Sequence, residues 1–140
     1  MIPIYPGHGK NISVIINIPE DIGIPADRYT TENILSNLFT NAIKFTSKHG
    51  NIRFSAQRIG QMVEIRISDN GIGIPENIIP RLFHPDNNIS TSGTDGEKGS
   101  GLGLLLCKEF VELNSGTIVI ASKMNEGTTF IISYPVGKLT

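Results

Sequence analysis

The stretch NILSNLFTNAIKFT, Asn33 to Thr46, carries the first chemical signal. Asn33, Asn37 and Asn41 stand four residues apart and Lys44 follows three later, so on a helix they line one flank. Asparagine costs a helix roughly half a kcal/mol relative to alanine, because its amide competes with the backbone for hydrogen bonds. A solvated helix face more usually carries Glu, Lys and Gln, so this flank suggests a ligand. Magnesium takes oxygen ligands in an octahedron, keeps several waters, and is usually held by one or two protein oxygens plus the substrate's phosphates. The Asn41 amide oxygen suits that metal, and Lys44 suits phosphate charge.

Three glycine-containing clusters add to this. Asp69 ends an apolar-alternating run and precedes Asn70, Gly71, Ile72 and Gly73. A carboxylate there can accept from the exocyclic amine of adenine, while the glycines let a base approach the main chain. Asn-Gly is equally the common signal of a tight hairpin turn, although the next stretch of chain reads as helical rather than as a matching strand. GSGLGL, Gly99 to Leu104, opens an apolar helical pattern, and backbone amides at a helix start bind phosphate oxygens. It lacks the spacing of the dinucleotide fingerprint, and a flexible hinge is its plainer reading. The polar stretch before it, about residues 84–100, is long for a compact domain and suggests a lid, with Lys98 available to a phosphate. EGTTF, Glu126 to Phe130, reads as a hairpin turn entering an edge strand, with the Thr128 hydroxyl able to reach a base through water.

These residues need elements to position them. NISVIINIP alternates like a strand, and a long helix begins near Asp27. NIRFSAQRI and MVEIRIS, separated by Gly60 and Gln61, predict an antiparallel hairpin. A short helical piece spans about Glu76 to Phe83. LGLLLCKEFVELN forms another helix with Gly116 as its terminator, and TIVIAS and TTFIISYP close the chain around the turn KMNEG. The expectation is an α/β two-layer sandwich: a mixed, mostly antiparallel sheet of about five strands packed on helices, as one domain over residues 1–140. At 140 residues, net charge −1 and 39% hydrophobic content, a single core is feasible. Balanced charge argues against nucleic acid as the main partner. No apolar run reaches the ~20 residues of a membrane span and no secretion signal opens the chain, so an intracellular setting without membrane contact is expected. Cys107, the lone cysteine, falls in an apolar helical pattern and reads as a core residue.

In this order and spacing, NLFTNAIKFT, DNGIGI, RLF, GSGLGL and EGTTF resemble the N, G1, F, G2 and G3 boxes of the catalytic ATP-binding domain of sensor histidine kinases. The superfamily is shared with gyrase, MutL and the large heat-shock chaperones. The resemblance covers about Asp27 to Pro135 and implies a Bergerat-type fold that binds ATP with Mg²⁺. Carried over residue by residue, Asn41 would be the metal ligand, supported by Asn37, and Lys44 would contact phosphate. Phe45 would lie near the base or sugar. Asp69 would bind the adenine amine within a wall shaped by Gly71 and Gly73. Lys98, Gly99, Gly101, Leu102 and Gly103 would serve the lid and phosphate-binding helix start, and Thr128 would assist at the base.

In members that hydrolyse ATP, a glutamate four residues before the magnesium asparagine resembles a general base. Here that position is Asn37, which cannot accept a proton usefully at neutral pH, so transfer to a better nucleophile is favoured over attack by water. His8, His49 and His84 sit in turn or lid contexts, and none resembles the family's phosphoacceptor. The resemblance therefore implies a cytoplasmic catalytic domain whose parent is soluble or membrane-anchored. Its partners would be a histidine-bearing dimerisation domain, absent from this chain, and a downstream response regulator. Two alternatives stay open: a catalytically idle nucleotide-binding module, and an anti-sigma-type serine kinase of the same fold.

Overall fold

The computed structural model describes residues 4–5, 10–84 and 103–136. Six strands form one sheet: β1 (Ile4–Tyr5), β2 (Ile12–Asn17), β3 (Asn51–Ile59), β4 (Met62–Asp69), β5 (Thr117–Lys123) and β6 (Gly127–Pro135). Their spatial order is β1-β2-β3-β4-β6-β5. Only β2 and β3 pair in parallel, across the crossover made by helix α1 (Arg28–Phe45); every other neighbouring pair is antiparallel. The five long strands are those expected, and β1 adds a two-residue edge.

Alternation decides which face is buried. Along β4, Val63, Ile65 and Ile67 point inward, and along β6 Thr128, Phe130, Ile132 and Tyr134 do so. Against this layer α1 lays Ile34, Leu38, Ala42 and Ile43, and helix α2 (Gly103–Leu113) lays Cys107 and Val111. Full burial of each large aliphatic side chain contributes about 1.5–3 kcal/mol, so this layer dominates the fold's stability. The opposite face carries Arg53, Gln57 and the Arg66–Glu64 ion pair. A shallow hollow of about 210 Å³ there, between Asn17, Pro19, Gln57 and Arg66, lies across the sheet from the inward-facing residues. Among the described residues no helix is long and apolar enough to cross a membrane.

Local signals set the element ends. Asp27 caps α1, its carboxylate accepting from Thr30 N–H at 2.9 Å. Gly60, with φ of 59° and open space around it, makes the β3–β4 turn. Two expectations need correction. EGTTF opens β6, an interior strand between β4 and β5, not an edge. Gly116 does not turn the end of α2 through its backbone freedom. Ser115 takes the left-handed conformation, φ 63°, while Gly116 N–H bonds Val111 O and Ser115 N–H bonds Glu112 O. Gly116 is needed for space, because a Cβ there would lie 2.5 Å from the Tyr134 ring.

Candidate functional site

The amides of α1 are oriented by their own helix. Asn41 Nδ2 donates to Asn37 O at 3.1 Å and Asn33 Nδ2 to Tyr29 O at 2.9 Å. That bond ties the Asn41 nitrogen to the backbone of its own helix. Asn37 faces α2: a Cβ on Gly103 would lie 3.6 Å from its Oδ1. One turn along α2, burial pushes the Cys107 thiol up to about 12 and the Asn37 amide pulls it partly back. Asn37 thus stands beneath the start of α2. Lys44 Nζ lies 4.9 Å from the centre of the Phe45 ring, a cation resting on an aromatic face.

Phe45 then meets the second part of the site. Ile72 N–H donates to Phe45 O at 3.1 Å, docking the loop after β4 onto the end of α1. The loop is fixed on its other side as well: Asn125 N–H donates to Ile72 O at 2.9 Å, and Ile74 N–H to Ser122 Oγ at 2.8 Å. The glycines explain how backbone comes so close to backbone. A Cβ on Gly71 would fall 2.1 Å from Phe45 O, one on Gly73 2.4 Å from Lys123 O, and one on Gly127 2.0 Å from Asp69 O. The sequence suggested that Gly71 and Gly73 clear space for a base; in the fold the direction of each missing side chain is filled by protein. They shape the wall by letting the loop dock.

At the root of this loop Asp69 is partly buried, opposite Thr128 in the β4–β6 register. Its Oδ1 accepts from Gly71 N–H at 2.8 Å. Burial raises its carboxyl to about 6, against hydrogen bonds from the Gly71 and Thr128 main chains that lower it. At neutral pH it is a largely ionised, immobilised acceptor. Thr128 is 4% exposed, and its hydroxyl shares a 2.8 Å hydrogen bond with Ser122 Oγ.

The fold therefore brings Asp69, Gly71, Gly73 and Thr128 together with Phe45. Asn41 lies one helical turn earlier, about 6 Å along the axis. Asn37 and Gly103 meet one turn further on. Lys98, Gly99, Gly101, Leu102 and all of the expected lid after His84 lie outside the described residues. Among the described residues no cluster of three or more His, Cys, Asp or Glu is placed to hold a metal.

This arrangement has relatives. A family model described as "Histidine kinase-, DNA gyrase B-, and HSP90-like ATPase" matches residues 26–138. The chain belongs to that family. It is 34% identical over 129 residues to the adaptive-response sensory kinase SasA of Crocosphaera subtropica, covering 91% of this chain and 33% of that protein. It is 40% identical over 110 residues to the circadian input-output histidine kinase CikA of Synechococcus elongatus, covering 79% of this chain and 15% of that protein. The catalytic domain of histidine kinase ThkA, in a nucleotide-free form, matches with a TM-score of 0.75 at 30% identity, over 90% of this chain and 80% of that one. The chain is an ATP-binding domain of the sensor histidine kinase type, and it spans about a third or less of the length of these two curated relatives.

Two residues that help build this histidine kinase domain escaped the sequence. Ser122 holds Ile74 N–H, Gly127 O and the Thr128 hydroxyl together, yet on a strand reading TIVIASK it gave no signal beyond its polarity. Lys10 is 0% exposed and donates to Ile43 O and Lys44 O. A lysine before a strand reads as a solvated surface residue, and only the tertiary fold shows what covers it.

Proposed function

We propose that the domain binds ATP with Mg²⁺ and supplies the γ-phosphoryl group to a histidine on a separate dimerisation domain. It would serve as the catalytic unit of a longer two-component sensor kinase acting in the cytoplasm. The observation that carries this reading is the docking of the Asp69 loop onto the end of α1 through Phe45 O and Ile72 N–H. It joins a partly buried carboxylate acceptor to an amide-and-lysine flank along one wall. Asp69 would accept from the adenine amine, Gly71 and Gly73 would hold the wall behind the base, and Phe45 would cover base or sugar. Thr128, through its link to Ser122, would fix the base side of the wall.

The donor set of the flank fits magnesium. Asn41 Oδ1 is the atom its back-bonded amide leaves over, and one protein oxygen plus phosphates is the usual way this ion is held. The ion, when bound, would neutralise charge on the phosphate oxygens. Lys44 would leave the Phe45 ring for the phosphates, and Asn37 would support them beneath Gly103. Lys98, Gly99, Gly101 and Leu102 belong to this proposal through the resemblance alone.

Asn37 also decides between attack by water and transfer. With an amide at the base position no side chain there takes a proton from water, and an imidazole nitrogen needs no such base. The nitrogen forms a bond to the γ-phosphorus as the bond to the β–γ bridging oxygen breaks, leaving ADP and a phosphohistidine. A response regulator would then receive the phosphoryl group.

The test is to mix the domain with the parent's histidine-bearing helices, Mg²⁺ and γ-labelled ATP. An acid-labile, base-stable phosphate on the helices is expected, lost with Asn41→Ala. ATP binding without any such product would instead mark a nucleotide-binding module.

A further inference from the structure

The last four carbonyls of a helix have no partner within it. In α1 these belong to Ala42, Ile43, Lys44 and Phe45, and each is taken up by something else. Thr46 Oγ1 donates to Ala42 O at 2.5 Å, Lys10 Nζ to Ile43 O at 2.7 Å and to Lys44 O at 3.1 Å, and Ile72 N–H to Phe45 O at 3.1 Å. Lys10 reaches across 33 residues of sequence to do this, and it is fully buried.

A buried ammonium is costly unless it is hydrogen-bonded and its charge is compensated. Here the compensation is the negative end of the α1 dipole, where a cation is favoured. One Nζ has three donors, enough for both carbonyls, and the backbone of Lys10 is itself held, its carbonyl accepting from His49 N–H at 2.8 Å. The two carbonyls it grips belong to the turn that presents Lys44 and comes just after Asn41. Lys10 also precedes residues 26–138, the part that matches the family.

We propose that Lys10 is a positioning residue for triphosphate recognition: its buried ammonium locks the last turn of α1 so that the Lys44 backbone is held where its side chain can swing from the Phe45 ring to phosphate. This rests on the assignment of Lys44 to phosphate. Without Lys10, the Lys44 carbonyl loses its donor and Ile43 O keeps only the Thr46 N–H at 3.3 Å, so the turn rearranges and Lys44 moves with it.

A double-mutant cycle tests this. Mg-ATP affinity is measured by calorimetry for the wild type, Lys10→Met, Lys44→Ala and the double variant, at a temperature where far-UV circular dichroism shows every form folded. Lys10→Met should weaken binding about tenfold in the presence of Lys44, and less than about threefold once Lys44 is alanine. An equal loss in both backgrounds, or no loss in either, overturns the proposal. If Lys44→Ala itself leaves ATP affinity unchanged, the phosphate assignment falls and the proposal falls with it. Should Lys10→Met not fold, Lys10→Arg, which keeps the charge with a different reach, is read in the same cycle against the same outcomes.

Discussion

The two long helices end in different ways. α2 finishes locally: Ser115 turns left-handed, and Gly116 and Ser115 return their N–H groups to Val111 and Glu112. Asn114 adds bonds to Phe110 O and to the Thr30 hydroxyl, tying this end to the start of α1. α1 is closed locally by Thr46, which bonds Ala42 O and Ile43 O, and in addition takes Lys10 from before β2 and Ile72 from beyond β4. A locally capped end is placed by its own sequence. An end capped from afar is placed by the whole fold, and it is this end that carries Asn41, Lys44 and Phe45 to the Asp69 loop. Distant donors reach the terminal carbonyls of α1, where chemistry is proposed, whereas the Val111 and Glu112 carbonyls of α2 are bonded by the residues that directly follow the helix.

Substitutions should separate the two ends. The largest effect is expected from Gly71→Ala, whose Cβ would meet the Phe45 carbonyl, a backbone atom unable to step aside. A loss above about 3 kcal/mol in denaturant unfolding is expected, against about 1 kcal/mol for Gly60→Ala, where the φ of 59° alone is unfavourable and the space is open. Equal losses would show that the docked loop is not the constraint.

Next comes Asp69→Asn, read against pH. The native carboxyl is raised to about 6 from an ordinary value near 3.8, so between those values the native state binds more protons than the unfolded chain. The wild type should therefore lose stability as pH rises from about 4 to 6, and the asparagine variant should lack that slope. The difference should favour the variant by about 1–2 kcal/mol at pH 7.5, and parallel stability curves would refute the burial of this charge.

The smallest effect belongs to the locally capped end. Ser115→Gly removes a left-handed non-glycine residue and should stabilise by about 0.5–1 kcal/mol, seen as a higher unfolding midpoint with ATP binding unchanged. Destabilisation would mean the serine side chain contributes something its backbone does not.

Much of this was legible in the sequence. Apolar periodicity gave α1 with its Asp27 cap, the β3–β4 hairpin with its two-residue turn, and the buried place of Cys107, because each depends on residues near one another in the chain. The glycine clusters marked the loop after Asp69 correctly while hiding its reason: nothing in DNGIG tells that Phe45 O fills the space beside Gly71. Strand order was equally hidden. β6 inserts between β4 and β5, a non-local pairing that the pattern TTFIISYP does not encode, and so the run from Gly127 was expected at an edge. Lys10 was missed for the same reason, since its partners on α1 lie more than 30 residues away, and so was the bond from Ile74 N–H to Ser122, 48 residues apart.

The central claim is that the end of α1 and the Asp69 loop make one site for an adenine nucleotide. Calorimetric titration of Mg-ATP and Mg-GTP into the wild type and into Asp69→Asn tests it most directly. ATP should bind the wild type at least about tenfold more tightly than GTP, and Asp69→Asn should remove most of that preference. Equal heats for the two nucleotides, or an ATP affinity indifferent to Asp69→Asn, would contradict it.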